Sequence, residues 1–341
     1  MTQDQIGQPL RRVEDERFLS GAGRYLDDES PAGVAHSAIL YSPHAHAFIR
    51  NVDTSRALKS AEVLAVYTAA DLKAGGLGKI VMRATVKNRD DSPMAKPTRP
   101  ILADGRVRFV GDAVAFVVAE SKAAARSAVE LIDVEYEALP AAIDPLVALE
   151  AGAPQVWDDV EGNLCVDYAA GDPEAVEDAF ASAAHITRLD MLNQRVSAVP
   201  LEPRGAIGEF NPKTEAFTLT TTTQNLHANR DQLAEVIFKV PIEHMRVRAL
   251  DVGGGFGTKN SLYPEFPLVL FAARDLGRPV KWVADRSESF LTDNDGRAQW
   301  SRVELALDDE NNFTGFRVTS VGDTGAYLTA NGATIATLGT V

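Results

Sequence analysis

"LDVGGGFGTK", residues 250–259, sets three consecutive glycines, a phenylalanine, a fourth glycine, a threonine and a lysine directly after an apolar run. Glycine loses more conformational freedom on folding than any other residue and offers no side chain to pack, so a run of it marks backbone that turns sharply or approaches something closely. The stretch before it, "HMRVRALDV" (244–252), reads as an apolar strand; the stretch after it, "PEFPLVLFAARDLG" (264–277), reads as a helix closed by Gly277. Where a strand ends and side chains vanish ahead of a helix N-terminus, backbone N–H groups lie open to anionic or electron-rich ligand atoms. A tight strand-to-helix turn would produce the same run with no ligand. A phosphate-binding P-loop would need Gly-Lys-Ser/Thr at its end, but Thr258 precedes Lys259 and Asn260 follows it. The dinucleotide fingerprint is met at Gly253 and Gly255, yet its third glycine is Thr258, and its ribose-binding acid would fall near Asp275, at a helix end.

The whole chain narrows the classes. Its 341 residues are 45% hydrophobic, enough for a sizeable core, and its length suggests about two domains. A net charge of −14 and a pI near 4.9 disfavour nucleic acid or an anionic membrane as partner. Cys165 is the single cysteine, so no internal disulfide can form, which fits a reducing compartment. The opening "MTQDQIGQPLRRVEDE" lacks the apolar core of a secretory signal, and no run nears the roughly 18 apolar residues of a membrane span. These features lead to the expectation of a soluble, cytoplasmic protein of α+β (mixed α/β) class with no membrane span.

Outward from the glycines, "AIGEFNPKTEAFTLTTTT" (206–223) reads as a hairpin turning at "NPKT", "NLHANRDQLAEVIF" (225–238) as a helix, and "PVKWVAD" (279–285) as a strand. "RVELALDDENNFTGFRVTSVGDTGAYL" (302–328) reads as a second hairpin. Toward the N-terminus, "GDPEAVEDAFASAA" (171–184) is an amphipathic helix with Asp172 as cap and Pro173 in its first turn. "DPLVALEAGAPQVWDD" (144–159) reads as a linker, and residues 107–140 as strand, helix and strand, a βαβ unit whose helix Ser121 caps. Residues 74–100 read as a long loop, 61–73 as a strand and a short helix capped by Thr68, and 33–53 as short strands. The first thirty residues read as an extended, irregular arm.

Several segments beyond the glycine run then agree in order and spacing: "RRVEDERFLSGAGRYLDD" (11–28), "SPHAHAFIRNVD" (42–53), "VGDAVAFVVAES" with "ELIDVEYEALPAAIDP" (110–145), "VPLEPRGAIGEF" (199–210), "TTTQNLH" (221–227) and "VKWVADRSESF" (280–290). With them the chain resembles, from about residue 8 to its last residue, the molybdopterin-binding large subunit of the xanthine dehydrogenase and aldehyde oxidase family. The resemblance is strongest to the branch that includes aerobic carbon monoxide dehydrogenase large subunits.

That resemblance implies an N-terminal arm (1–19), an α/β hammerhead domain (20–145) and the first part of a molybdopterin-binding domain (146–341). It implies a molybdenum-bearing molybdopterin, in cytosine dinucleotide form, with FAD and [2Fe–2S] clusters on partner subunits in a dimer of heterotrimers. Gln224 matches the family's glutamine near an oxo ligand of the metal, an amide suited to donate without changing charge. Gly254, Gly255, Phe256 and Gly257 match the loop against the dithiolene and pterin end of the cofactor, with Phe256 as a wall of the substrate channel and Thr258 and Lys259 continuing the loop. Gln224 and Phe256 are thus the residues placed at the reacting centre, and no side chain of the chain is implied as a direct metal ligand. The implied chemistry is oxidation or hydroxylation of an aldehyde, N-heterocycle or carbon-monoxide-like substrate with oxygen from water, the electrons leaving through iron–sulfur clusters to a flavin. The family's glutamate base and the copper-binding cysteine of the carbon monoxide branch lie beyond residue 341. The chain therefore reads as the first half of such a subunit, whether truncated, excised or naturally split from a remaining half, and inactive by itself. A non-catalytic scaffold that kept the fold and a nucleotide-binding dehydrogenase are the competing readings.

Other residues invite assignments of their own. His44 and His46, two apart on an expected strand, could face one side as a metal pair or serve structure. Cys165 reads as a small buried hydrophobe. Glu202 with Arg204 reads as a charge pair near the site or a structural turn, Asp285 with Arg286 as a strand-end ion pair, and the charges of "RSAVELIDVEYE" (126–137) as a solvated face.

Overall fold

"AVAFVVA" (113–119) shows no alternation of apolar and polar residues, as befits a strand covered on both faces. A computed structural model describes residues 7, 9–329 and 332–338, and in it this strand is buried at all seven positions. In chain order the strands are β1 (Ala35–Tyr41), β2 (Ala47–Asp53), β3 (Val63–Tyr67), β4 (Arg106–Val107), β5 (Ala113–Ala119), β6 (Asp133–Ala138), β7 (His185–Asn193), β8 (Gly205–Asn211), β9 (Ala216–Thr221), β10 (Met245–Arg248), β11 (Val280–Val283), β12 (Gln299–Leu307) and β13 (Phe313–Gly322). They form a seven-stranded sheet in the order β10-β9-β8-β11-β1-β5-β3 and two three-stranded sheets, β13-β12-β7 and β4-β2-β6. The large sheet takes strands from both sides of residue 145, joined where β1 pairs in parallel with β11 through Ala35–Val280 and His36–Lys281. Against this sheet lies the helix Glu265–Leu276, buried at nine consecutive residues from Glu265 to Ala273 and closed by Gly277 in the left-handed region.

Several expected elements stand where the local chemistry put them. Ser121 accepts the Ala124 N–H at 3.2 Å and Asp172 that of Ala175 at 3.1 Å, so both helices start at their caps. Both hairpins form, as β8–β9 and β12–β13.

Other elements differ. The unit at 107–140 is not a βαβ in one sheet: β5, needing cover on both faces, sits inside the large sheet, whereas β6, "DVEYEA", with one wet face, joins β2 and β4. The linker contains a one-turn helix, Pro145–Ala148, because Asp144 accepts the N–H groups of Leu146 and Val147. The opening arm is ordered locally, with a helix at Asp15–Leu19 and a 3-10 turn at Leu26–Asp28; Arg17 pairs with Asp251, whose carboxylate also takes the Arg24 N–H at 2.8 Å. Residues 1–6 and 8 of that arm lie outside the described residues. His44 and His46 sit in the turn between β1 and β2, not on a strand, the first ring against Tyr136 and the second bonded through Nδ1 to the Pro140 carbonyl at 2.8 Å. Cys165 is half-buried, and burial raises its thiol pKa.

Asp285 and Arg286 do not pair with each other. Asp285 caps an unforeseen helix, Arg286–Thr292, in a reciprocal box with Glu288, and pairs with Arg126, while Arg286 donates to the carbonyls of Pro200 and Leu201. Strand β7 was also not legible, because it exposes Leu189, Met191 and Leu192 and so lacks a buried face.

One face of the β13-β12-β7 sheet carries a charge ladder in which Glu304 lies between Arg317 and Arg188, at 2.8 and 2.7 Å. Hydrogen bonds from Arg317 and then Arg188 pull its carboxyl down to about 2. A carboxyl depressed in the folded state stabilises above its unfolded pKa and loses that contribution as pH falls toward its folded value. Glu304→Gln should therefore cost about 1 kcal/mol at neutral pH, a figure held low because Arg188 is largely exposed. The gap from wild type in urea unfolding should close between about pH 5 and pH 2; a gap independent of pH would refute the ladder's role.

Candidate functional site

Gln224 and Phe256 lie thirty-two residues apart, and sheet topology brings them together. Strands β9 and β10 run parallel, with Phe217 opposite Met245 and Thr220 opposite Arg248. Parallel neighbours need a crossover, supplied here by the helix Leu226–Gln232 and its continuation as π-helix through Phe238. The segments that follow β9 and β10 consequently emerge at the same end of the sheet: Gln224 from one, the glycine loop from the other.

The two segments are bonded to each other. The Gln224 N–H donates to the Lys259 carbonyl at 3.0 Å, and the Gly257 N–H donates to Gln224 Oε1 at 3.0 Å. With Oε1 engaged, the amide's donor end, Nε2, has no partner among the described residues. Gly255 packs against this amide so closely that a Cβ placed there would lie 2.4 Å from Gln224 Cδ. Gly254 and Gly257 hold φ of +92° and +89°, the left-handed backbone that glycine tolerates best. The loop thus uses glycine for both purposes, turning at 254 and 257 and close approach at 255. Phe256 sits between them at φ +51° and is 77% exposed.

No helix starts at these glycines. The loop runs into a 3-10 turn, Thr258–Asn260, and the next helix begins at Glu265. The Gly254 N–H is bonded to Val252 and that of Thr258 to Gly255, whereas the N–H groups of Gly255 and Phe256 meet no acceptor among the described residues. Together with Gln224 Nε2 they make three unpartnered donors on one small surface, suited to electron-rich ligand atoms. Asp275, the acid a dinucleotide site would require, is occupied with the Tyr67 hydroxyl at 2.7 Å.

Beneath the loop the charges pair differently from what adjacency suggested. Arg204 is fully buried and bonds Asp293 at 2.6 Å, Thr292 at 2.7 Å and Glu265 at 2.8 Å, with its guanidinium 3.7 Å from the Tyr263 ring centroid. Burial opposes the guanidinium's charge, but the two carboxylates outweigh it and hold its pKa above the ordinary value. Glu202 turns instead to the loop: its Oε2 accepts the Gly253 N–H at 2.7 Å and Lys259 Nζ at 3.1 Å. Lys259 is 1% exposed, and burial lowers its pKa against the partial compensation of Glu202.

Beside this surface lies a cavity of about 280 Å³. Asn225, Asn229, Gln232, Asn260, Arg99 and Tyr327 are among its lining residues. Asn225 and Asn260 directly follow Gln224 and Lys259, and the buried Gln232 Oε1 has no partner. Sequence reasoning missed this chamber, though Asn225, Asn229 and Gln232 recur at the i, i+4, i+7 spacing of one helix face. Among the described residues no group of three or more His, Cys, Asp or Glu could hold a metal ion, and no helix is long and apolar enough to cross a membrane.

Comparisons with known proteins agree with this arrangement. Residues 20–140 match the aldehyde oxidase and xanthine dehydrogenase a/b hammerhead domain, and residues 156–340 match the molybdopterin cofactor-binding domain. The chain is 34% identical to the carbon monoxide dehydrogenase large chain of Hydrogenophaga pseudoflava, over 92% of its own length and 39% of that protein's. It is also 34% identical to the nicotine 6-hydroxylase large subunit of Paenarthrobacter nicotinovorans, over 96% of its length and 39% of the relative's. The structure superposes on quinoline 2-oxidoreductase from Pseudomonas putida 86 with a TM-score of 0.88 and 38% identity, covering 96% of this chain and 40% of that one. The chain therefore spans about two fifths of the length of these proteins. A match over more than half of its residues, on a fold shared with solved molybdenum enzymes, makes it a member of the molybdopterin cofactor-binding family, with an aldehyde oxidase and xanthine dehydrogenase hammerhead domain ahead of the cofactor-binding one.

Proposed function

We propose that this chain supplies the N-terminal part of the molybdopterin-binding subunit of an oxidoreductase, with Gln224, Gly254, Gly255, Phe256 and Gly257 lining the cofactor. The observation that carries the reading is the group of three unpartnered donors, Gln224 Nε2 and the N–H groups of Gly255 and Phe256, on a surface cleared of side chains by glycine. Such a donor set fits the oxygen and sulfur atoms of a molybdenum–pterin group and would not compete with its own ligands for the metal. When bound, that group supplies two-electron oxidation of a substrate carbon with oxygen from water. The chain's own contribution is to orient the group through Gln224, to bring bare backbone against it, and to wall the approach with Phe256. The cavity lined by Asn225, Asn229 and Asn260 is the chamber for the substrate, in the class of aldehydes, N-heterocycles or carbon-monoxide-like molecules.

On this reading the hammerhead domain spans 20–145 and the cofactor-binding part 146–341, after an arm of 1–19. The cofactor is the cytosine dinucleotide form. The partners are an iron–sulfur subunit and an FAD subunit, in a cytoplasmic dimer of heterotrimers. The base that assists the chemistry comes from the part of the large subunit outside residues 1–341.

Gln224→Ala tests the reading in the assembled enzyme. Gln224 is exposed and its side chain holds a single exposed N–H, that of Gly257, so the melting temperature should fall little while turnover falls about 10- to 100-fold, the usual loss when a group that orients a metal's ligand shell is removed. Unchanged turnover at full molybdenum content would take Gln224 out of the site.

A further inference from the structure

The bonds under the glycine loop close into a circuit. The Gly253 N–H donates to Glu202 Oε2 at 2.7 Å, and the Glu202 N–H donates back to the Gly253 carbonyl at 3.1 Å. Lys259 Nζ reaches the same Oε2 at 3.1 Å. The Lys259 carbonyl accepts the Gln224 N–H at 3.0 Å and the Thr223 hydroxyl at 3.1 Å. Gln224 Oε1 then accepts the Gly257 N–H, which returns the path to the loop. One carboxylate thus ties both ends of the loop, residues 253 and 259, and one residue, Lys259, is bonded at its side chain to the carboxylate that holds the loop's entry and at its carbonyl to Gln224.

From this geometry we infer that Lys259 is a positioning residue for Gln224: its ammonium, fixed on Glu202, holds its carbonyl where the Gln224 backbone must sit for the amide to present Nε2 outward. The inference rests on the cofactor-facing reading of Gln224 and adds to it a residue buried beneath the loop, 1% exposed. A buried lysine explained only by core packing would not need its terminal amine on the carboxylate that also holds the first residue of the loop. The arrangement is directional, because a charge-assisted bond is both stronger and more narrowly placed than an apolar contact. Gly253 is part of it: a Cβ there would lie 2.5 Å from Glu202 Cβ, so the bonds between the two segments form only with glycine.

Lys259→Met keeps the length and burial of the side chain and removes the ammonium. On the ¹⁵N-labelled chain, amide exchange should rise about tenfold or more at Gly257 and Gln224, neither of which the Lys259 amine touches, the effect expected from losing one charged hydrogen bond. Amides of the helix Glu265–Leu276 should keep their wild-type protection. Glu202→Gln leaves an acceptor for Gly253 but removes the ammonium's counter-charge, and it should give the same pattern if Lys259→Met does not fold. Unchanged exchange at Gly257, or an increase spread evenly through the helix, would overturn the inference. In the assembled enzyme Lys259→Met should lower kcat more than it raises KM; a change in KM alone would also overturn it. The exchange measurement needs no cofactor, so an unchanged Gly257 removes the positioning role alone, whereas assembled wild-type enzyme free of molybdenum removes the cofactor reading alone.

Discussion

Arg204→Leu is expected to cost about 3–5 kcal/mol of stability, most of the margin of a typical domain. Arg204 has no exposed surface, and the side chains of Glu265 and Asp293, its two partners, are each 3% exposed. Leucine would remove the cation bonded to both, leaving two carboxylates and the Thr292 hydroxyl without their shared donor. Water does not reach the site, so one carboxyl must take up a proton or the region must open. The guanidinium also stacks on Tyr263, and that ring positions the loop, since its hydroxyl donates to the Thr258 carbonyl at 2.7 Å and accepts the Asn294 N–H at 3.0 Å. Arg204→Lys should fall between wild type and leucine, because an ammonium keeps the charge without the planar fork or the stacking. Urea unfolding of the three proteins measures this; an Arg204→Leu midpoint equal to wild type would mean the three charges are not a buried unit.

Gly255→Ala should leave stability within about 0.5 kcal/mol of wild type and still disable the site. Gly255 does not hold a positive φ, so alanine strains no backbone there, and the atoms its methyl would meet are Gln224 Cδ at 2.4 Å and Oε1 at 2.5 Å. Gln224 is exposed and can swing away, which relieves the overlap at the expense of its bond to the Gly257 N–H. Molybdenum content or turnover of the assembled enzyme should then fall about 10- to 100-fold, and Gly257 should lose its exchange protection. Gly257→Ala is the contrasting variant. Its φ of +89° with no atom within 4 Å of the added methyl means that alanine is strained but not crowded. It should lower stability by about 1–2 kcal/mol. Equal loss of stability in both variants would contradict the division of labour among these glycines.

What could be read from the sequence follows the range of the interactions concerned. Glycines, caps and turns state their roles locally, so the helix boundaries at Ser121 and Asp172 and both hairpins were legible, whereas the nearness of Gln224 to the glycine loop was implied only by the family resemblance. Charge partners were not. Glu202 and Arg204 stand two residues apart, yet the side chain of each is bonded to residues at least 51 positions away. Residues 201–204 lie in an irregular segment, where spacing along the chain does not fix which side a side chain faces, so adjacency was a poor guide. The Asp285–Glu288 box was visible as Asp-x-x-Glu and marks a helix start that a simple ion pair would not. The place of β1 beside β11 was beyond local reading, since nothing in a four-residue strand, "VKWV" (280–283), specifies a neighbour some 245 residues distant.

That last pairing sets a timetable for synthesis. Strand β1 has β5 on one edge and β11 on the other. Its first edge can be occupied once residue 119 has left the ribosome, but its second must wait for residue 283. At roughly 5–20 residues per second the interval is on the order of 10–30 s. Throughout it a strand edge stays unpaired, the condition under which chains pair with the wrong neighbour. Chaperone demand during translation should accordingly peak between these two points, and ribosome-bound chains halted there should be the form most prone to aggregate.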